Sequence, residues 1–351
     1  MTRDVEFAVV GAGLAGSATA RALARAGREV VLLERFHVGH TRGSSHGASR
    51  IFRFSYHDPH YVRMAMAALP LWRELEDETG AELLTVTGGL DRGKTLDDHV
   101  NALASCGARY ELLTGREVAD RWSTVSLPEG DAVLFQPDAG ITRADAALRA
   151  FVKSAQSHGA ELCESTTVGR LRPGDEAVSL DTEAASYRAR VAIVTAGGWA
   201  RPLLAEAGID LPVIATRETV AYFALADELS TPTLVDWGEP AFFALASPGQ
   251  GLKAGFHHAG PPTNPSESGH VSREVVERLS ECVARRYPDA DPVAHHSETC
   301  IYTNTDDERF ILERHGPVVV GSACSGHGFK FGPLTGKLLA DLAMRTDVNG
   351  D

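Results

Sequence analysis

The sequence has no apolar run approaching the roughly 18 residues that a membrane-spanning helix requires, so no membrane span is expected. It has no excess of positive charge either: 34 Lys and Arg stand against 47 Asp and Glu, a formal net charge of −13. That balance argues against a nucleic-acid binder, which needs a dense basic face, and leaves room for an anionic substrate in a locally basic pocket. Cysteine is scarce: Cys106, Cys163, Cys282, Cys300 and Cys324 are odd in number and form no CxxC. A disulfide or zinc framework is not supported, and a reducing cytoplasm fits best. The N-terminus opens on charged residues and runs into a strand without an apolar signal-peptide region, so export is not expected. HExxH is absent, which removes the usual ground for a zinc protease. There is no internal repeat or low-complexity segment, and 351 residues suffice for two domains or one large domain with an inserted lobe.

What is present begins at once. Residues 7–10 are a short apolar run, Gly11-Ala12-Gly13-Leu14-Ala15-Gly16 follows, and residues 17–26 are an alanine-rich helical stretch with Gly27 where a C′ residue belongs. A second apolar run, residues 30–33, ends on Glu34 and Arg35. Gly11 permits the tight turn, Gly13 lets backbone approach a pyrophosphate at the positive helix N-terminus, and Gly16 lets helix and strand pack closely. Glu34 stands where an acid can take adenosine ribose hydroxyls. The unit predicts dinucleotide binding and does not by itself choose NAD or FAD.

Farther along, residues 61–79 are helical in pattern, with Pro70 expected to kink or divide the helix. Residues 143–158 form another predicted helix, with Thr142 and Asp145 placed as a capping box. Residues 191–196 are a buried strand, and 212–226 and 241–257 hold β-like stretches. Residues 273–287 are a helix stopped by Pro288, and a last strand, 317–321, leads through a glycine-rich stretch into a final helix. Strands alternate with helices at both ends, while the middle is antiparallel in character. The expected fold is α/β (α+β), a Rossmann-type domain interleaved with a mostly antiparallel β-sheet substrate domain. The expected boundaries are 1–84, 142–210 and 305–351 for the first, and 85–141 and 211–304 for the second.

Four segments carry candidate chemistry. Residues 43–53, GSSHGASRIFR, place Arg50 and Arg53 three apart in a stretch poor in acids; a guanidinium can hold a carboxylate with two hydrogen bonds, and can equally be a solvated surface group. Residues 251–257, GLKAGFH, set Lys253 among apolar and glycine residues, either as a buried cation or as an edge-strand lysine. Residues 299–305, TCIYTNT, contain Cys300 and Tyr302; an isolated cysteine is usually a small buried hydrophobe. Residues 321–333, GSACSGHGFKFGP, are a glycine-rich loop whose backbone N–H groups could reach ligand oxygens.

Together these segments resemble one family, the flavin amine oxidases of the monomeric sarcosine oxidase and N-methyltryptophan oxidase type, in register from Val5 to Leu342. The resemblance implies FAD, held by Gly11, Gly13, Leu14, Ala15, Gly16, Glu34, Arg35, Ser44, Ser45, His46, Arg50, Val168, Gly197, Trp199, Gly326, His327, Gly328, Phe329 and Lys330. It further implies a thioether from Cys300 to the flavin. Lys253, His257, Arg50 and Tyr302 are implied as catalytic, with Lys253 promoting reaction with oxygen. Arg53 and Lys330 are implied as the carboxylate grip, beside Phe242 and Phe243, where sarcosine oxidases carry tyrosines. The phenylalanines make the pocket more apolar and put sarcosine itself in doubt. Relative to the family, residues 88–110 are trimmed and the chain stops soon after its last helix, so a more open catalytic lobe is expected.

The implied activity is oxidation of a C–N bond in a small carboxylate-bearing amine, with hydride transfer to flavin N5 giving an imine and reoxidation by O2 giving H2O2. A biosynthetic oxidase of a cyclic imino acid or tailored metabolite is the alternative, as is a dehydrogenase using another acceptor; a flavin-binding sensor or subunit without turnover is less favoured. Expected partners are the amine and O2, with no nucleic acid and no membrane, and the expected state is a cytoplasmic monomer. No metal is expected: His257-His258 and His295-His296 would point to opposite faces of a strand, and residues 306–308, DDE, read as a solvated loop.

Overall fold

The computed structural model describes residues 2–345, so the C-terminal end of the expected cofactor segment, residues 346–351, lies outside the described residues. Its chain builds two eight-stranded sheets and one three-stranded sheet. In the first, strand Thr2–Val10 runs parallel between Val30–Leu33 and Ser186–Val194. These strands are nearly continuous Val, Leu, Ile and Ala because helices and loops cover both faces. Helices Leu14–Arg25, Ala144–Ser157 and Gly332–Met344 pack together against this sheet. Strand Val318–Ser322 joins parallel to the C-terminal end of Ser186–Val194 and delivers the chain into the last glycine-rich loop.

The second sheet runs in the order Ala294–Asn304, Ile214–Phe223, Gly251–Phe256, Phe242–Ser247, Thr233–Trp237, Gly89–Gly93, Ala132–Gln136, Glu111–Thr114. All its pairings are antiparallel except Thr233–Trp237 with Gly89–Gly93. Helix Arg273–Arg286 covers one face, burying Leu279, Cys282 and Val283 against Phe242, Ala244, Ala254 and Phe256. The other face, one residue out of phase, looks toward the first sheet. The small sheet Ser49–Phe52, Gly140–Arg143 and Leu84–Val86 packs against the second sheet, with Ile51 and Ile141 on Phe243, Leu245 and Ala246.

Two local expectations are corrected. Pro70 does not divide its helix, which runs unbroken from Pro59 to Thr79. The proline sits on the exposed side, where the carbonyl it leaves without a donor can be hydrated. The Thr142–Asp145 capping box is not formed either. Arg143 is the N-cap, with no side-chain hydrogen bond. Thr142 belongs to strand Gly140–Arg143, and its hydroxyl donates to the Arg50 carbonyl at 3.3 Å. Asp145 instead accepts from Gly47 N–H at 2.9 Å, so both residues hold the Arg50 segment in place.

Candidate active site

The first β-α-β unit places helix Leu14–Arg25 with its N-terminus open to a cavity. Gly11 has φ +99°, and a Cβ on Gly16 would stand 1.9 Å from the Gly11 carbonyl oxygen; the turn therefore needs both glycines. Gly16 itself lies behind the cavity wall, whereas Gly11, Gly13, Leu14 and Ala15 line it. The helix has no acid in its first turn to compete with an anion. Leu14 N–H donates to Ser45 Oγ at 3.1 Å, which ties this terminus to the Arg50 segment. Glu34 is buried and accepts Ala12 N–H and Phe36 N–H, each at 2.8 Å. It both locks the turn and faces the cavity, where Arg35, Val168, Gly197 and Trp199 form the same end.

This cavity measures about 710 Å³ and continues from the glycine turn, past the 43–53 segment, to the inner face of the second sheet. Strand alternation explains what that face presents. Lys253 stands opposite Tyr222 on one neighbour and Leu245 on the other. Phe243, opposite Gly255, shares this face, and its ring lies where a Gly255 side chain would go, 2.5 Å from an added Cβ. Phe242 does not share it: its ring packs under helix Arg273–Arg286, with the Arg286 guanidinium 5.0 Å from its centroid. Both residues line the cavity, and of the two rings only that of Phe243 stands on the Lys253 face. On the edge strand beyond Tyr222, Glu298, Cys300 and Tyr302 follow at every second residue, and Cys300 and Tyr302 line the cavity.

Lys253 is 4% exposed on a central strand, so the edge-strand reading does not apply. Burial, then the Arg50 charge, lowers its pKa to about 8, against the opposing pull of Glu298 at 3.7 Å. The Arg50 guanidinium donates to the carbonyls of Ser49, Ser44 and His46 at 2.8, 3.0 and 2.6 Å, which curls the segment around it. Ser44 Oγ bonds the Ile301 carbonyl, linking that segment to the Cys300 strand. His46 is buried but does not reach the cavity; its Nε2 lies 3.8 Å from Glu298. Burial, then Arg50, lowers the His46 pKa to about 4, so the ring is neutral at ordinary pH. Burial also pushes the Cys300 thiol up, with Arg50 and Lys253 pulling the other way.

At the far end of the cavity Arg53 is buried between two rings, 4.6 Å from the Tyr56 centroid and 5.0 Å from that of Trp237. It bonds the Ser55 carbonyl and lies 3.3 Å from Asp91, a buried acid that also accepts Trp237 Nε1–H at 2.9 Å. Lys330 Nζ donates to Tyr56 Oη at 2.8 Å and to the His327 carbonyl at 2.7 Å. Its backbone is fixed by Trp72 Nε1–H at 2.7 Å. Burial, then Arg53, holds its ammonium well below the usual lysine range. Gly326, at φ +71°, admits Tyr302 and His257 within 2.3 and 2.7 Å of where a Cβ would stand. Thr335, in the first turn of helix Gly332–Met344, also lines the cavity, and its buried hydroxyl has no partner.

The argument against a shared ligand set at His257-His258 is corrected by the geometry. The strand ends at Phe256, and His258 takes a left-handed φ of +55°, so both rings lie together, 4.1 Å apart. Glu308 lies 3.7 Å from His257 and 3.8 Å from His258. The three side chains could hold a metal ion. Glu308 is accordingly not a merely solvated residue: the hydrogen bond from His257 lowers its pKa to about 2. Its carbonyl also accepts from the His327 ring at 2.9 Å.

Sequence reasoning missed Asp91, Trp237, Tyr56, Tyr222 and Glu298, which complete the surroundings of the predicted cations. A visible signal existed for Asp91, an acid following Leu90 in a short strand.

A glycine turn at a helix N-terminus, joined by one cavity to a sheet face bearing buried cations, defines a dinucleotide-dependent enzyme. Comparison with known proteins specifies it. The FAD dependent oxidoreductase family matches residues 6–342. The human peroxisomal sarcosine oxidase is 33% identical, over 98% of this chain and 93% of that enzyme. A monomeric sarcosine oxidase from Bacillus sp. (strain B-0618) is 31% identical, over 100% of this chain and 95% of that enzyme. Among solved structures, NikD, an unusual amino acid oxidase essential for nikkomycin biosynthesis, superposes with a TM-score of 0.89 at 29% identity, covering 99% of this chain and 96% of that one. The chain belongs to the FAD dependent oxidoreductase family and is a sarcosine oxidase-like oxidoreductase within it.

Proposed function

We propose that the protein oxidises a C–N single bond in a small carboxylate-bearing secondary amine, using O2 and releasing H2O2. The observation that carries this reading is the continuity of one cavity from the glycine turn to Lys253, Arg53 and Lys330. The residues fit FAD: an acid-free helix N-terminus would meet the pyrophosphate, Glu34 would hold the ribose, and the Thr335 hydroxyl, without a partner in the protein, could bond a polar group of the cofactor. Bound FAD would supply a two-electron acceptor. Arg53 and Lys330 would orient the substrate carboxylate, whose charge offsets the burial that depresses Lys330. Phe243 would pack on the apolar part of the amine. His257, whose pKa burial lowers, would sit neutral beside the amine with Tyr302, and neither need act as a strong base if the amine binds unprotonated.

The overall change is balanced: the amine loses a hydride equivalent from carbon and a proton from nitrogen, and O2 gains two electrons and two protons. One H2O2 is expected for each amine consumed, measured by oxygen uptake with peroxidase-coupled dye. Amine consumption without peroxide would replace the oxidase with a dehydrogenase.

The reading also includes a monomeric cytoplasmic enzyme, the segment boundaries given above, and a thioether from Cys300. Cys300 lines the cavity together with Lys253 and Ser44. Acid precipitation of the wild-type protein should leave a yellow pellet, and Cys300→Ser a colourless one. A yellow Cys300→Ser pellet would move the attachment elsewhere. No helix among the described residues is long and apolar enough to cross a membrane.

A further inference from the structure

Lys253 shares its face of the second sheet with a carboxylate from the edge strand Ala294–Asn304, on the far side of the Tyr222 strand. Glu298 Oε1 lies 3.7 Å from Lys253 Nζ and accepts the Tyr222 hydroxyl at 2.5 Å, while Tyr222 stands opposite Lys253 in the strand register. Lys253 Nζ is also 5.4 Å from the Tyr222 ring centroid. The remaining groups facing Lys253 are Arg50 and Cys300, with His46 beyond Glu298. Arg50 is committed to three backbone carbonyls, and His46 is neutral, so neither replaces the lysine as the ion partner of Glu298.

We propose that Glu298, steadied by Tyr222, is a positioning residue that serves as the counter-ion of Lys253 and thereby sets the pH above which the cavity loses its cation. The physical ground is proximity in a dry place. At this separation, with the effective dielectric of a protein interior, a carboxylate favours the protonated amine by well over one pH unit. Burial and Arg50 push the opposite way, so Glu298 decides which side wins near neutral pH. Burial works against the charge of Glu298, but Lys253, the Tyr222 hydrogen bond, His46 and Arg50 together lower its pKa. The consequence for reoxidation rests on the proposed oxidase reading and the oxygen role that the family resemblance implies for Lys253; the consequence for the charge of Lys253 does not.

The protein has five lysines, Lys94, Lys153, Lys253, Lys330 and Lys337, which makes direct titration practical. Holoenzyme grown with 13Cε-lysine gives one resolved signal per lysine, and Lys253→Met assigns the one in question. In the wild type the Lys253 signal should titrate near pH 8. In Glu298→Gln the midpoint should fall by about one unit or more, and Glu298→Asp should restore most of it. Glu298→Ala provides a second neutral variant should the glutamine protein fold poorly. An unmoved midpoint in the neutral variants overturns the proposal. Reoxidation of the photoreduced holoenzyme, followed against pH by stopped flow, should track the same midpoints. A midpoint that falls while the reoxidation profile stays fixed would leave the counter-ion in place and overturn the oxygen role of Lys253.

Discussion

Lys253→Met is expected to slow reoxidation of the reduced protein by O2 on the order of 10²–10³-fold, the loss seen when one preorganised electrostatic group is removed from a water-poor site. Anaerobic reduction by the amine should change by no more than about a few-fold, because the carboxylate grip proposed for Arg53 and Lys330 is untouched. The asymmetry follows from position. Lys253 is fixed on a central strand, its ammonium buried, with Arg50 the neighbouring cation and Glu298 the neighbouring anion. A developing negative charge on oxygen would meet a cation that needs no reorganisation. The sign of the pH dependence is set by the lowered pKa: the cation is present below about 8 and lost above it. Wild-type reoxidation should therefore fall as pH rises through that value, and the Lys253→Met rate should be flat there. Stopped-flow mixing of photoreduced protein with oxygenated buffer measures both. Equal rates in the two proteins would remove Lys253 from the oxygen step.

Arg53→Met should have a comparable effect on the other half of the reaction. A loss on the order of 10²–10³-fold in kcat/KM is expected for a carboxylate-bearing amine, the scale for truncating one partner of a buried charge pair. Part of that loss would come from stranding Asp91, which sits 3.3 Å from Arg53 and is almost wholly buried. The double variant Arg53→Met/Asp91→Asn separates the terms. It should recover thermal stability relative to Arg53→Met, because no carboxylate is left unpaired, and should not recover kcat/KM. Recovery of activity by the double variant would show that Arg53 organises Asp91 and Trp237 rather than holding the substrate.

The parts of this site that could be read from the sequence are those in which chain neighbours are also spatial neighbours. The turn from Gly11 to Gly16 is one: strand, glycines and helix follow in order, and the close approach of Gly16 to Gly11 is a local contact. The face carrying Cys300 and Tyr302 is another, since strand parity puts alternate residues together. Parity failed where the backbone left the strand. At His258 a left-handed residue returned two adjacent rings to one side; histidine is among the residue types enriched there, but positive φ is uncommon for any non-glycine residue, so the sequence does not announce it. Parity also separates Phe242 from Phe243, which their adjacency had joined. The ionic partners were illegible for a different reason. Asp91 meets Arg53, Glu298 meets Lys253, and Tyr56 meets Lys330 only after distant segments fold together. Polarity alone gives such residues no address, because most acids and tyrosines in a chain are solvated or half-buried.

The central claim is that a carboxylate-bearing secondary amine is oxidised in this cavity. Anaerobic mixing of the purified holoenzyme with N-methyl and cyclic secondary amino acids, each paired with its decarboxylated analogue, tests it most directly. The predicted result is rapid loss of the visible flavin absorbance with at least one amino acid and little with its analogue. Absorbance that persists with every amino acid in the series, or falls equally fast with the analogues, would contradict the account.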